Sequence, residues 1–314
     1  MLTRSVRLIH LRIVFGLCLI TAVIYFANVR TIYEHLADLA PAWLIVAVLC
    51  IIISSLVGAF NVYILIPKTD ISWTAFLPIY WSAWSLNLVV PGQIGDIAGM
   101  AVLLRKYNID WHTSIGKSLV DKFNSLFVSL LFGLAGILAI GIFPKVSKMD
   151  ILLTVAVCLI LLGLLASYAK HVTKNRNSLD RIRGFMLVTV GVIFETVRKN
   201  PVLTSLNLGL TFIKLGLTGF SYWCIFRAQH VIDLDILSVI FLASTSSLIA
   251  YIPISFNGIG TVEITGVYLF SEIGINTAAI ITTYLVLRCT VLLIAWMPTS
   301  IWWSVTQHAK KPLR

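Results

Sequence analysis

Long apolar runs recur along the chain at 10–29, 42–66, 113–141, 150–168, 202–226 and 276–304. Each approaches or exceeds the roughly 20 residues a helix needs to cross a hydrocarbon core. Two further apolar regions, 73–105 and 236–272, are interrupted midway by small and polar residues. The interruptions read VVPGQIGDIAG (Val89 to Gly99) and ISFNGIGTVEITG (Ile254 to Gly266). Backbone amides freed by such breaks must find partners or line a wet cavity, because hydrocarbon supplies none. The pattern therefore predicts an all-α polytopic membrane protein with about six full spans. Two re-entrant or broken-helix hairpins add to these, giving six to eight or more apparent helices. The whole of 1–314 reads as a single integral membrane domain.

The halves look alike. With Gly95 set against Gly260, Ile-Gly recurs at both breaks, and one register step later Lys122 falls opposite Arg288 in the following long run. Three full spans separate the two motifs, so the second copy enters from the opposite side, the pattern of an inverted repeat. The pseudo-repeat halves are 1–168 and 200–314. They are joined by 169–199, whose SLDRIRGFMLVTVGVIFETVRK is too short in its apolar centre to span and fits a helix lying on the cytoplasmic interface.

Composition supports the bilayer as solvent: 59% of residues are hydrophobic and 12% charged, against about 25% charged in soluble domains. The formal charge of +11 is that of topology and not of nucleic-acid binding. With the N-terminus inside, sixteen Lys and Arg fall in cytoplasmic segments and four in external ones, the bias that orients membrane proteins. Both termini are expected in the cytoplasm, in a multi-pass protein of the inner (plasma) membrane. The N-terminal run is longer than the apolar core of a signal peptide and reads as a retained first span. Five scattered cysteines and six histidines lack metal or disulfide spacing. No nucleotide-binding motif is present, and no cofactor, metal or catalytic constellation is predicted.

Candidate chemistry sits at the breaks. Gly92, Gly95, Gly258 and Gly260 allow sharp turns and close approach of a ligand, with Asn257 beside the second pair. The helices that follow aim N-terminal amides at the break, a cradle for an anion. Asp96 and Glu263 lie in the first turns, where they can cap those amides, or contact substrate or carry a proton. Five further charges stand inside apolar runs, at about 2.5–3.5 kcal/mol each for a helix centre. Lys117 and Asp121, four apart, can neutralise each other; Lys214 can snorkel. Lys122 and Arg288 have no local partner, so they either brace the breaks through Asp96 and Glu263 or touch a functional cavity. Trp81 and Trp84 precede the first break and either pack or line a lipid groove, and Met297 to Trp303 suits an interfacial belt.

VVPGQIGDIAG, SLVDKFNSL, ISFNGIGTVEITG and TYLVLRC together resemble a flippase-like integral membrane family. That family includes the membrane domain of lysylphosphatidylglycerol synthases, the multiple peptide resistance factors. Its members carry a P-G-G-x-G-D/E break and a basic helix, then an S-P-G-G-x-G-x-x-E break and a Y-R helix. Gln93, Phe256 and Asn257 stand where Gly, Gly and Pro are usual, and Lys122 where Arg is commoner. With no soluble synthase domain after residue 314, aminoacyl transfer is not expected. The resemblance implies movement or presentation of an anionic phospholipid or a polyprenyl-phosphate-linked lipid.

Two other functions stay open on the residues. One is an integral-membrane lipid-modifying enzyme, such as a glycosyltransferase or phosphatase, using Asp96 or Glu263. The short external connections offer few candidates for it, among them Glu34, Asp38, His230, Asp233 and Asp235. The other is an accessory subunit for a glycosyltransferase or lipid-synthesis partner.

Overall fold

A computed structural model describes residues 28–66, 71–90, 95–139, 195–252 and 255–308, with isolated positions 18, 19, 21, 22, 25, 191 and 192. Every regular element among the described residues is helical. Helix α1 covers Val29–Ala37, started by Asn28, whose side chain accepts from the Arg30 amide at 3.1 Å. Helix α2 covers Pro41–Tyr63 with Pro at its first position, where the absent N–H has no role.

Helix α3, Trp73–Val89, is capped by the Ser72 hydroxyl. It stops at Val90, which is extended (φ −101°), as a residue before proline prefers. Helix α4, Gly95–Leu103, runs into a tight turn that ends at Asn108 in the left-handed region. Helix α5 covers Trp111–Ala139 and α6 covers Pro201–Ala228. Helix α7, Ile236–Leu248, starts on an Asp235 cap, and α8 is Thr261–Ser271. Helix α9, Thr277–His308, closes the described chain.

Four of these, Pro41–Tyr63, Trp111–Gly136, Pro201–Ala228 and Thr277–Ser304, are long and apolar enough to cross a membrane. They coincide with four of the six predicted spans. The run 150–168 and most of 10–29 lie outside the described residues, as does most of 178–199. The two interrupted regions each form a pair of packed helices, α3 with α4 and α7 with α8. Nine-residue α4 and eleven-residue α8 rise only about 14 and 17 Å, too little for either to cross alone.

Packing places the breaks side by side. Helices α2 and α6 form the most extensive contact. Each hairpin packs on the long helix that follows it and on the one that follows the other hairpin, α3 on α9 and α7 on α5, and α7 lies against α6 as well. Two buried clusters fill the gaps, one around Phe76, Ile79 and Leu104, the other around Phe226, Leu242, Phe270 and Ile280. Apolar side chains such as Leu49, Ile53, Phe123, Leu130 and Leu293 remain exposed on the long helices, a surface suited to lipid and costly in water.

Candidate functional site

The second break is fully described from Ser255 onward. Its chain turns through Asn257 (φ 48°), Gly258 (φ 71°) and Gly260 (φ 82°), positive values that glycine tolerates and Asn tolerates better than most residues. The turn delivers Glu263 to the first turn of α8. One carboxylate oxygen, Oε2, accepts the Gly260 amide at 2.7 Å; the other, Oε1, accepts from Nε of Arg288 on α9. Glu263 is 1% exposed, so both its oxygens are committed within the protein.

Arg288 is committed on one edge only. Its Nε is spent on Glu263, while its terminal nitrogens make no hydrogen bond among the described residues, and its side chain keeps 23% exposure. Arg288 lines a cavity of about 350 Å3. Trp84 and Asn87 of α3, Ser247 of α7, Asn257 of the second break and Tyr284 of α9 contribute to its walls. Gly266 of α8 leaves room for Tyr284, whose ring would collide with any Cβ there. The Tyr284 hydroxyl pairs with Ser246 at 2.6 Å. The cavity is therefore built by both hairpins together with α5, α6 and α9.

At the first break, Lys122 Nζ of α5 lies 2.6 Å from Asp96 Oδ2 of α4. Asp96 Oδ1 also accepts the amide of Ile97. Both side chains are about one-fifth to one-quarter exposed, and Tyr251, a cavity wall, lies within electrostatic reach of Lys122 and Asp96. Gly95 is buried where α4 starts against α3. Gly92 and Gln93 lie outside the described residues.

Of the alternatives the sequence left open, the bridges Lys122–Asp96 and Arg288–Glu263 are present, Arg288 also lines the cavity, and Asn257 and Trp84 stand in its wall. Sequence reading erred at Asp121. In place of Lys117 on the same helix, Asp121 takes Asn61 Nδ2 at 2.9 Å, Asn207 Nδ2 at 3.2 Å and Lys214 Nζ at 3.9 Å. These partners come from α2 and α6, and Lys214 also donates to Ser125 at 3.0 Å. A buried carboxylate takes the partners that close its hydrogen bonds, and the nearest Lys in sequence has no advantage there. Lys214 accordingly points inward and does not snorkel. Sequence reading also missed Tyr222, Tyr251 and Tyr284; the signal available for Tyr284 was its place four residues before Arg288, on the same helix face.

Two other pockets differ in chemistry. A groove of about 620 Å3 between α3, α4 and the end of α9 includes Gly95, Val102, Trp296 and Trp303 and has no charged wall. A smaller one, about 310 Å3, gathers Glu34, His35, Asp38, Gln229 and His230. There His230 Nε2 lies 3.6 Å from Asp38 Oδ2, and Glu34 pairs with Arg30. Among the described residues no group of three His, Cys, Asp or Glu could hold a metal ion.

Long apolar helices, exposed apolar faces and ion pairs buried between them define an all-helical, multi-pass integral membrane protein. Residues 11–298 match the family Lysylphosphatidylglycerol synthase TM region, and the chain belongs to that family. A curated relative is the UPF0104 membrane protein MJ1078 of Methanocaldococcus jannaschii, 25% identical over 190 residues, which cover 59% of this chain and 78% of that one. No solved structure matches.

Proposed function

We propose that this protein is a lipid translocase of the flippase type, moving a lipid with an anionic headgroup through the cavity between its two hairpins. The observation that carries the reading is the divided guanidinium of Arg288, pinned by Nε to Glu263 with its terminal nitrogens uncommitted at the cavity. Arg presents five N–H donors in a planar fork suited to phosphate. An anion docked there repays the cost of holding a cation at membrane depth.

The packing supports a two-fold relation between the halves. The contacts α3 with α9 and α7 with α5 exchange when the halves are exchanged, as do α4 with α5 and α8 with α9, while α2 with α6 maps onto itself. In the inverted-repeat reading both termini are cytoplasmic. The first hairpin opens inward and the second outward, so that Lys122 and Arg288 serve as successive stations for one headgroup. Acyl or prenyl chains stay in the lipid and along the apolar groove beside α4. The turn through Gly258 and Gly260 holds Asn257 at the cavity that receives the headgroup. A lipid-synthesis enzyme or glycosyltransferase is the fitting partner, since a translocase needs a supplier of headgroup lipid on one face.

The test is lipid movement in proteoliposomes, read by the fraction of a fluorescent anionic lipid that becomes accessible on the opposite leaflet. Arg288→Lys keeps the charge and loses the fork, so the rate is expected to fall about tenfold or more with the protein still folded. Arg288→Ala strands Glu263 and destabilises; adding Glu263→Gln restores the melting temperature without restoring movement. A stable double variant that moves lipid at the wild-type rate overturns the proposal.

A further inference from the structure

The chemistry of the cavity wall also selects a headgroup, an inference that rests on the translocase reading. We infer that the cavity recognises a glycosyl phosphate, a sugar joined to its lipid through phosphate, and discriminates against ammonium-bearing headgroups.

What a headgroup meets in the cavity is set by the wall groups left uncommitted. The carboxylate nearest the cavity, Glu263, has both oxygens spent, on Gly260 and on Arg288. Asp96 and Asp121 stand outside the wall, on Lys122 and on the Asn61, Asn207 and Lys214 cluster. An ammonium headgroup would enter beside Arg288 with no spare anion to receive it. Desolvating a cation without a partner is unfavourable.

The neutral polar groups point the other way. Asn257 is part-exposed in the wall, with no hydrogen bond from its amide among the described residues. The Tyr251 hydroxyl is likewise without a hydrogen bond among them. An amide and a phenol each both donate and accept, the pairing that sugar hydroxyls require. Trp84 adds a flat apolar face for the C–H side of a pyranose ring. Arg288 stands in the same cavity to take the phosphate. At about 350 Å3 the space is of the size that small ligands use, more than an ethanolamine headgroup fills.

The experiment uses the full chain in nanodiscs and measures binding, with no transport step. The probes are glucose 1-phosphate, phosphoethanolamine and inorganic phosphate. Glucose 1-phosphate is expected to bind about tenfold tighter than either of the others. Asn257→Gly keeps the backbone turn and removes the amide, and Tyr251→Phe removes one hydroxyl. Each is expected to cut that preference about three- to tenfold and to leave inorganic phosphate affinity unchanged, one hydrogen bond's worth. In a second arm, polyprenyl phosphoglucose in the nanodisc displaces glucose 1-phosphate, while phosphatidylethanolamine at the same mole fraction does not.

Equal affinity for phosphoethanolamine overturns the inference, as does a preference that survives both substitutions. Failure of the lipid-linked sugar to displace the free one removes the lipid from the assignment and overturns it as well. If the binding pattern holds while proteoliposomes move no lipid, the translocase reading falls and the headgroup chemistry stands.

Discussion

At the first break, Gly95 begins α4 pressed against α3: a Cβ there would sit 2.6 Å from the Leu86 carbonyl oxygen and 2.6 Å from the Asn87 Cα. At the second, Gly260 begins α8 with φ 82° and ψ −44°, a backbone conformation that any side chain strains. The two glycines align in sequence and serve different ends, one close packing, the other a turn. Their acids differ in the same way. Asp96 meets Lys122 with a quarter of its side chain exposed, whereas Glu263 is sealed between an amide and a guanidinium. One sequence pattern has thus yielded a carboxylate partly open to its surroundings and a sealed one, whose bond to Arg288 holds that residue beside the cavity.

The largest effect expected from this contrast is on stability. Glu263→Ala leaves Arg288 without its partner and the Gly260 amide without an acceptor, a change of about 3–5 kcal/mol. Asp96→Ala strands a Lys that retains access to solvent or headgroups, and about 1–2 kcal/mol is expected. Thermal unfolding of the two variants in one detergent decides it. Equal losses would mean that the two pairs are equivalent braces and that the contrast in burial has no energetic consequence.

Legibility in the sequence followed the range of the forces involved. The breaks announced themselves because Pro91, Gly92, Gly258 and Gly260 act on their own backbone, and four apolar runs reappear as helices long enough to span. The pairs Lys122–Asp96 and Arg288–Glu263 were legible because a charge inside an apolar run demands a partner and few were on offer. Asp121 was not, because its partners Asn61, Asn207 and Lys214 lie on α2 and α6. Nothing in a local i, i+4 rule encodes which helices pack together. The cavity was hidden for the same reason, since its wall draws residues from α3, α5, α6, α7, α9 and the second break.

An intermediate effect separates the glycines. Gly95→Ala and Gly95→Ser add volume against backbone that cannot step aside, so the loss should grow with side-chain size, within about 1–3 kcal/mol. At Gly260 the penalty arrives with the first Cβ, about 1–2 kcal/mol, and Ser should match Ala within a few tenths. Melting temperatures of the four variants give the two slopes. A steeper slope at Gly260 than at Gly95 would reverse the assignment of packing and conformation to the two sites.

The smallest effect lies at the outer ends of the two hairpins, where the caps differ in charge. Helix α3 is capped by the Ser72 hydroxyl, 3.4 Å from the Ala75 amide. Helix α7 is capped by the Asp235 carboxylate, 2.7 Å from the Ser238 amide. The backbone amide of Ser238 favours the ionised form and holds the Asp235 carboxyl below its ordinary range. A depressed folded-state pKa contributes stability that is present above the ordinary carboxylate value and is lost as pH falls through the lowered one. Ser72 has no such titration. Asp235→Ser should therefore change stability by no more than about 1 kcal/mol at neutral pH. It should also flatten the part of the acid-side decline that comes from α7. Ser72→Asp should do the reverse and install a pH-dependent cap on the first hairpin. Hydrogen exchange at the Ser238 and Ala75 amides, followed from pH 7 to pH 3, reads the two caps separately. If wild-type Ser238 keeps constant protection relative to Ala75 across that range, the charge on Asp235 adds nothing to the cap, and the two hairpins start alike despite their different residues.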